Sequence, residues 1–178
     1  MARVALIDPD SDPAFAEFAD TVRNQRRGKF LNIYKLLLQS PPLAEAWYDF
    51  NNAVRWGTEL NGRLREMIII RIAYLNGSEY ALRQHAGALA LAEGLSEAEC
   101  ADLEAWREGD HFSAEERAAL AFTDAMTRDI AVSPSVFEPL RAHFSERNIV
   151  ELAVLIGSYN MHTRVFKALE ADLEAIPG

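Results

Sequence analysis

The sequence predicts an all-α protein, and three observations favour this fold class. Apolar residues recur at helical spacing along most of the 178 residues. Serine, asparagine, proline and glycine occur where these apolar segments begin and end, as helix caps and breakers do. No segment alternates polar and apolar residues with a period of two, so a β-sheet is not expected.

The first forty residues predict a helical N-terminal extension. Asp12 is a typical N-cap, and Pro13 suits the first helical position. Apolar residues then recur at helical spacing until Gly28, which indicates a helix end. A second apolar face covers residues 31–38 and ends at Ser40.

The middle of the chain contains the most apolar segment. A helix is predicted from Leu43, and Leu64–Leu75 is then nearly all apolar, which predicts a buried helix. Its β-branched isoleucines make a strand the alternative. The turn signal Asn76-Gly77 closes this segment. One further helix is predicted over Ser78–Glu93, ended by Gly94.

Caps define the second half. Ser96–Glu99 and Ser113–Glu116 each match the capping box, in which serine and glutamate satisfy one another's exposed amides. Ser133 with Pro134 opens a short segment. Ser145 caps a long last helix that is predicted to extend to about residue 171.

An internal repeat links these two halves. Shifting the chain by 80 residues gives eight identities over the 24 positions 66–89, including Gly77 with Gly157 and Ser78 with Ser158. A duplicated helix pair explains the match at both turns. The alternative is that two segments rich in alanine and leucine align by composition alone.

Composition narrows the functional classes. A single domain over residues 1–178 is expected from the length. The net charge of −9 disfavours binding to nucleic acid or to an anionic membrane. The first residues do not show the pattern of a signal peptide, which is a basic segment followed by a long apolar one. A cytoplasmic location is therefore expected. Cys100 is the only cysteine, which excludes an internal disulfide and a cysteine-based metal cluster.

The strongest site candidate combines a carboxylate and an imidazole. Glu66 lies near the start of the central apolar helix and His85 on the helix after the turn, so the turn brings the pair together. Such a pair can move a proton. Ser78 and Ala81 share a helical face with His85 and leave space beside its ring. The structural alternatives are a helix-dipole role for Glu66 and a hydrogen-bonded core position for His85.

Other side chains are weaker candidates for substrate contacts. Arg65 and Arg71 can bind an anion if they converge on one point. Tyr80 and Tyr159 can line a pocket, although aromatic residues at helical spacing more often belong to the core. The histidines form no His-x-x-x-His pair, so no metal site is predicted.

These motifs resemble the carboxymuconolactone decarboxylase family, which includes the AhpD-like alkylhydroperoxidases. The resemblance covers roughly residues 28–170 and rests on four segments in the right order: Leu64–Ala73, Asn76–Tyr80, His85–Ala90 and Gly94–Ser96. Tyr159-Asn160 and Arg164 resemble its C-terminal pattern. The resemblance implies an AhpD-like helical bundle that assembles as a homo-oligomer, a trimer or hexamer.

The resemblance also shows what this chain lacks. The peroxidase branch has glutamate, two cysteines and histidine where this chain has Glu66, Ser78, Ala81 and His85. A hydroxyl and a methyl group cannot reduce a peroxide or form a disulfide. The decarboxylase branch needs no cysteine pair and implies a lyase for a small carboxylated or lactone-like metabolite of aromatic catabolism.

In this reading the enzyme is cofactor-free and His85 is the acid that protonates carbon, with Glu66 orienting it. Arg65 or Arg71 binds the carboxylate or stabilises the developing enolate. Two alternatives remain: an alkylhydroperoxidase-like protein that has lost its redox cysteines, and a non-enzymatic helical assembly protein.

Overall fold

The computed structural model describes residues 1–25 and 28–174, and within these ranges it contains helices and no strand. The α-helices are α1 (Ala16–Gln25), α2 (Asn32–Leu37), α3 (Pro41–Trp56), α4 (Gly62–Leu75), α5 (Glu79–His85), α6 (Ala88–Ala92), α7 (Glu97–Asp102), α8 (Ala114–Arg128), α9 (Pro134–Phe137) and α10 (Glu146–Ala168). Short 3-10 segments span Pro13–Phe15 and Glu138–Ala142. The all-α prediction is confirmed, and the central apolar segment is a helix.

The chain divides into two compact units. The first contains Met1–Asn52 and the chain from Phe166 onward, and the second is Ala53–Val165. The first unit has an aromatic core in which ring centroids lie 5.7 to 6.3 Å apart; its members are Phe18, Phe30, Tyr34 and Tyr48. The candidate site belongs to the second unit. Residues 26–27 and 175–178 of the predicted single domain lie outside the described residues.

Helix α4 is the centre of the second unit. Its ten consecutive residues from Leu64 to Ala73 are all buried, because α5, α6 and α8 pack around it. A helix enclosed on all sides has no solvent face, so its isoleucines can follow one another directly. The three charged residues of this segment, Arg65, Glu66 and Arg71, are therefore buried too and need partners inside the protein.

The predicted caps hold the ends of these helices. Ser96 and Ser113 begin α7 and α8 with complete capping boxes. Asn61, which the sequence analysis did not single out, caps α4 by accepting a hydrogen bond from the Leu64 amide at 2.8 Å. Ser145 caps α10, accepting from the Asn148 amide at 3.1 Å.

The single helix predicted over Ser78–Glu93 is wrong, because two helices occupy this segment. Helix α5 ends at His85, and Gly87 adopts φ −132° and ψ −125° before α6 begins. Glycine inside a helix costs about 1 kcal/mol relative to alanine, which favours a break there. The break leaves His85 as the last residue of α5.

The repeat does not produce a second helix pair. Gly77 lies in the turn between α4 and α5 with φ +57°, whereas Gly157 and Ser158 lie inside the uninterrupted helix α10. The two segments match by composition, which was the alternative. Helix α10 ends at Ala168, before the predicted residue 171. Although α10 has 23 residues, neither it nor any other helix in the described part of the chain is long and apolar enough to cross a membrane.

Arg71 anchors α4 to α8 through Asp124. Its guanidinium binds the carboxylate side-on, with Nε 2.6 Å from Oδ1 and Nη2 3.1 Å from Oδ2. The remaining Nη1 donates to the carbonyls of Leu103 and Glu104 at 2.9 and 2.7 Å. Burial opposes ionisation of Asp124, but the hydrogen bonds from Arg71 and Arg107 outweigh it and lower the pKa of this carboxyl.

We expect Asp124→Asn to lower the free energy of unfolding by about 3–5 kcal/mol, because it leaves the buried Arg71 guanidinium without its counter-charge. Asp102→Asn is the matched control. Asp102 pairs with His111, but both side chains are more than two-fifths exposed, so its loss should cost at most about 1 kcal/mol. Urea unfolding followed by circular dichroism measures both, and equal losses would contradict the anchoring role.

Candidate functional site

Glu66 on α4 and His85 at the end of α5 form a buried hydrogen-bonded pair. Glu66 Oε2 lies 2.6 Å from His85 Nδ1. The Glu66 side chain is 1% exposed, whereas that of His85 is 10% exposed. The histidine is therefore the member of the pair that lies nearer to solvent.

The turn between α4 and α5 sets this geometry. Gly77 supplies the left-handed conformation that lets α5 fold back against α4. The Asn76 side chain fixes the turn to α10 by donating to Asn160 Oδ1 at 2.9 Å and Thr163 Oγ1 at 2.8 Å. Ser78 begins α5, its hydroxyl accepting from the Ala81 amide at 3.4 Å.

Two arginines compensate the second oxygen of Glu66. Arg55 Nη2 donates to Glu66 Oε1 at 3.1 Å, and Arg65 Nε lies 3.6 Å from the same oxygen. Arg65 also donates through Nη2 to Glu93 Oε1 at 2.8 Å. Both guanidinium carbons lie near the ring of Trp56, 4.6 and 4.7 Å from its centroid.

These partners keep Glu66 ionised despite its burial. Desolvation alone would raise the pKa of this carboxyl, but the charges and hydrogen bond from His85, with the charges of Arg55 and Arg65, lower it to about 2. An ionised Glu66 accepts a hydrogen bond from the Nδ1–H of His85. It therefore fixes the neutral imidazole as the Nδ1–H tautomer, in which Nε2 carries the lone pair.

Tyr159 and His162, both from α10, extend the site beyond this pair. The Tyr159 ring meets the His85 ring edge-on, with centroids 5.4 Å apart. The His162 ring also contacts the Tyr159 ring, with centroids 4.9 Å apart. Burial, together with the charges of His85 and Arg55, lowers the pKa of His162 to about 3, so this histidine is neutral at physiological pH.

The structure brings some of the predicted site residues together and separates others. Arg65 and Tyr159 lie against the Glu66–His85 pair. The guanidinium of Arg71 is instead saturated by Asp124 and two carbonyls. The other three predicted residues are buried at the start of α5, where they remain predictions: Ser78, Tyr80 and Ala81.

Four members of this cluster were not predicted as site residues from the sequence. Arg55, Trp56, Glu93 and His162 come from α3, the end of α6 and α10. A weak signal existed for Arg55, which is a charged residue next to Val54 on the apolar face of its helix.

In the described part of the chain, neither the cysteine nor the potential metal ligands form a second reactive centre. Cys100 is buried on α7, and desolvation raises the pKa of its thiol. Among the described residues, no group of three or more histidine, cysteine, aspartate or glutamate side chains is placed to hold a metal ion.

The fold and the site define a helical protein with a buried glutamate–histidine pair and, in the whole sequence, a single cysteine. The model of the carboxymuconolactone decarboxylase family matches residues 41–125. The uncharacterised protein YdfG of Bacillus subtilis (strain 168) is 30% identical over 114 residues, which are 63% of this chain and 77% of YdfG. This chain belongs to the carboxymuconolactone decarboxylase family.

Solved structures agree with this assignment. A protein of unknown function from Agrobacterium tumefaciens, ATU0492, which is assigned only provisionally as the antioxidant-defence protein AhpD, is 29% identical with a TM-score of 0.74; the match covers 79% of this chain and 97% of that one. A peroxidase-related protein from Silicibacter sp. TM1040 has a TM-score of 0.83 at 24% identity over 98% of this chain and 92% of its own. The predicted AhpD-like fold is confirmed.

The ionised state of Glu66 makes stability depend on acid pH. Because folding lowers its pKa from 4.5 to about 2, its contribution is complete above pH 4.5 and is lost as the pH falls towards 2. The lowering corresponds to about 3 kcal/mol. We expect the free energy of unfolding, measured by urea titration, to fall between pH 6 and pH 3 by less in Glu66→Gln than in the wild type.

Glu79→Gln is the control for this comparison, because the Glu79 side chain is 68% exposed and pairs only across one helix turn with Arg83. It should keep the acid dependence of the wild type. If Glu66→Gln shows that same dependence, Glu66 is not an ionised buried group.

Proposed function

We propose that this protein is a cofactor-free acid/base enzyme, a decarboxylase-like lyase that acts on a small carboxylated or lactone-like metabolite of aromatic catabolism. The observation that carries the proposal is the 2.6 Å contact between Glu66 and His85 Nδ1. A carboxylate that binds one imidazole nitrogen directs proton exchange to the other nitrogen. Family membership supports the decarboxylase class.

The proposed reaction removes carbon dioxide and adds a proton. The bond between the substrate carbon and its carboxylate breaks, and its electron pair moves into the adjacent unsaturated carbonyl system as an enolate. His85 in its imidazolium form then donates the Nε2 proton to carbon. Glu66 stabilises this imidazolium, and a solvent proton restores it after each turnover. We expect the charge of Arg65, whose Nε lies 3.6 Å from Glu66 Oε1, to stabilise the enolate.

Peroxidase chemistry is the less favoured function. Ser78 and Ala81 stand where the resemblance requires cysteines, and the Cys100 thiol is buried in the core with a raised pKa. The contact between Glu66 and His85 needs no cysteine to exchange a proton, which favours acid/base chemistry over peroxidase chemistry.

Three further expectations belong to this proposal. The partner is a small molecule, the protein assembles as a trimer or hexamer of identical chains, and it acts in the cytoplasm. These remain predictions.

The test of this function is release of carbon dioxide from a panel of carboxylated unsaturated lactones, followed with a coupled bicarbonate assay. We expect His85→Ala to abolish turnover and Glu66→Gln to lower kcat by about 10²- to 10⁴-fold, the usual contribution of a positioned acid/base group. His111→Ala is the control, because His111 also binds a carboxylate through Nδ1 but is exposed. It should retain wild-type turnover.

Folding and cysteine chemistry are checked separately. Circular dichroism should show that His85→Ala retains its helices, and Cys100→Ser should keep full activity. Undiminished turnover by His85→Ala would exclude the proposed acid. Robust peroxidase activity that survives in Cys100→Ser would contradict the argument from the missing cysteines.

A further inference from the structure

The buried arginines of the second unit differ in how completely they are hydrogen-bonded. Arg71 uses Nε, Nη1 and Nη2, with its side-on edge closed by both oxygens of Asp124. Arg55 and Arg65 are equally buried, at 5% exposure each. The Nε atoms of both are nevertheless buried without a hydrogen-bond partner among the described residues.

This incompleteness is energetically costly. A buried donor without an acceptor loses its hydrogen bonds to water and gains none in return, and a charged group loses more. The two donors belong to arginines that both contact Oε1 of Glu66, Arg55 through Nη2 and Arg65 through Nε. Buried polar groups in native proteins almost always have partners, so an orphaned pair points to an acceptor that arrives with a ligand.

The edge of Arg65 shows what that acceptor would be. Its Nη2 donates to a single oxygen of Glu93, while the neighbouring Nε lies 3.6 Å from Glu66 and makes no hydrogen bond. Arginine binds a carboxylate most strongly when Nε and Nη2 each meet one oxygen. Arg71 with Asp124 has this arrangement in the same protein. On Arg65 only Nη2 has a carboxylate oxygen as its acceptor, and Nε has none.

The Glu93 side chain can move away from Arg65 Nη2, because it lies closer to solvent than the arginine does. Its side chain is 34% exposed, whereas that of Arg65 is 6% exposed. The Glu93 carboxylate also lies against Gly62, the first residue of α4, where a Cβ atom would come within 1.6 Å of Oε2. It therefore occupies space that only a glycine leaves open.

We propose that Arg65 and Arg55 form the binding site for the carboxylate of the substrate, and that Glu93 occupies this site in the ligand-free protein. The class of ligand is an organic carboxylate. This inference rests on the proposed function and extends it, because it assigns roles to Arg55 and Glu93. On binding, the substrate carboxylate replaces Glu93 on Arg65 Nη2 and supplies the missing acceptor for Nε.

Trp56 covers this site. Its ring lies over both guanidinium groups and is 56% exposed. An exposed indole stacked on two buried cations is a favourable surface for the apolar part of a carboxylated ring. The fluorescence of Trp56 can also report binding, because a ligand at the two arginines changes the surroundings of the indole.

The probe for this site is benzoate, with benzamide as its uncharged equivalent, measured by isothermal titration calorimetry. Wild-type protein should bind benzoate and not benzamide. Glu93→Gln should bind benzoate about tenfold more tightly, because it removes a competing charge-assisted hydrogen bond. Arg65→Lys keeps the charge but loses the two-point edge, so it should bind about tenfold more weakly.

Gly62→Ala tests Glu93 without changing any charge. The added methyl group must displace the flexible end of Glu93, so benzoate binding should again tighten about tenfold. Gly157→Ala is the matched control. It adds a methyl group to a helix at a position where nothing lies within 4 Å, and it should leave the affinity unchanged.

The proposal is overturned if Glu93→Gln and Gly62→Ala bind benzoate no better than the wild type, or if Arg65→Lys binds it equally well. Failure of the acid/base function has a different signature. If the site is right and the proposed chemistry is wrong, His85→Ala still binds benzoate with wild-type affinity, and no lactone of the panel loses carbon dioxide.

Discussion

The buried carboxylate of Glu66 is the constraint on which the rest of the site depends. It lies in the first half of a helix that is enclosed on all sides, where an unpaired charge would cost several kcal/mol. Arg55 and His85 hydrogen-bond to it, and Arg65 lies within ion-pair distance. Three helices, α3, α4 and α5, are thereby joined at one carboxylate, which both fixes their arrangement and orients an imidazole.

Two kinds of buried arginine follow from this arrangement. Arg71 is fully bonded and fastens α4 to α8. Arg55 and Arg65 balance Glu66 but retain donors that no described residue accepts. A saturated guanidinium stabilises the fold and can do little else, whereas an unsaturated one beside an acid/base pair is suited to receive an anion.

Local signals predicted most of the helices correctly. Ser96, Ser113 and Ser145 begin helices because capping depends on residues within one turn. Prediction failed where residues distant in the sequence decide whether a helix continues or ends. The segment after Ser78 breaks at Gly87, and Gly157 is accommodated inside α10 although its counterpart Gly77 makes a turn. Glycine permits both outcomes, and tertiary packing selects one.

By itself the sequence determined the class of fold, the family resemblance and the Glu66–His85 pair. Helical spacing and a tight turn depend on residues that are close together in the sequence. Only the tertiary structure decided which arginine belongs to the pair. Arg65 and Arg71 lie six positions apart on one enclosed helix. Their roles are set by Glu93 and Asp124, which come from distant parts of the chain and were not predictable from local spacing.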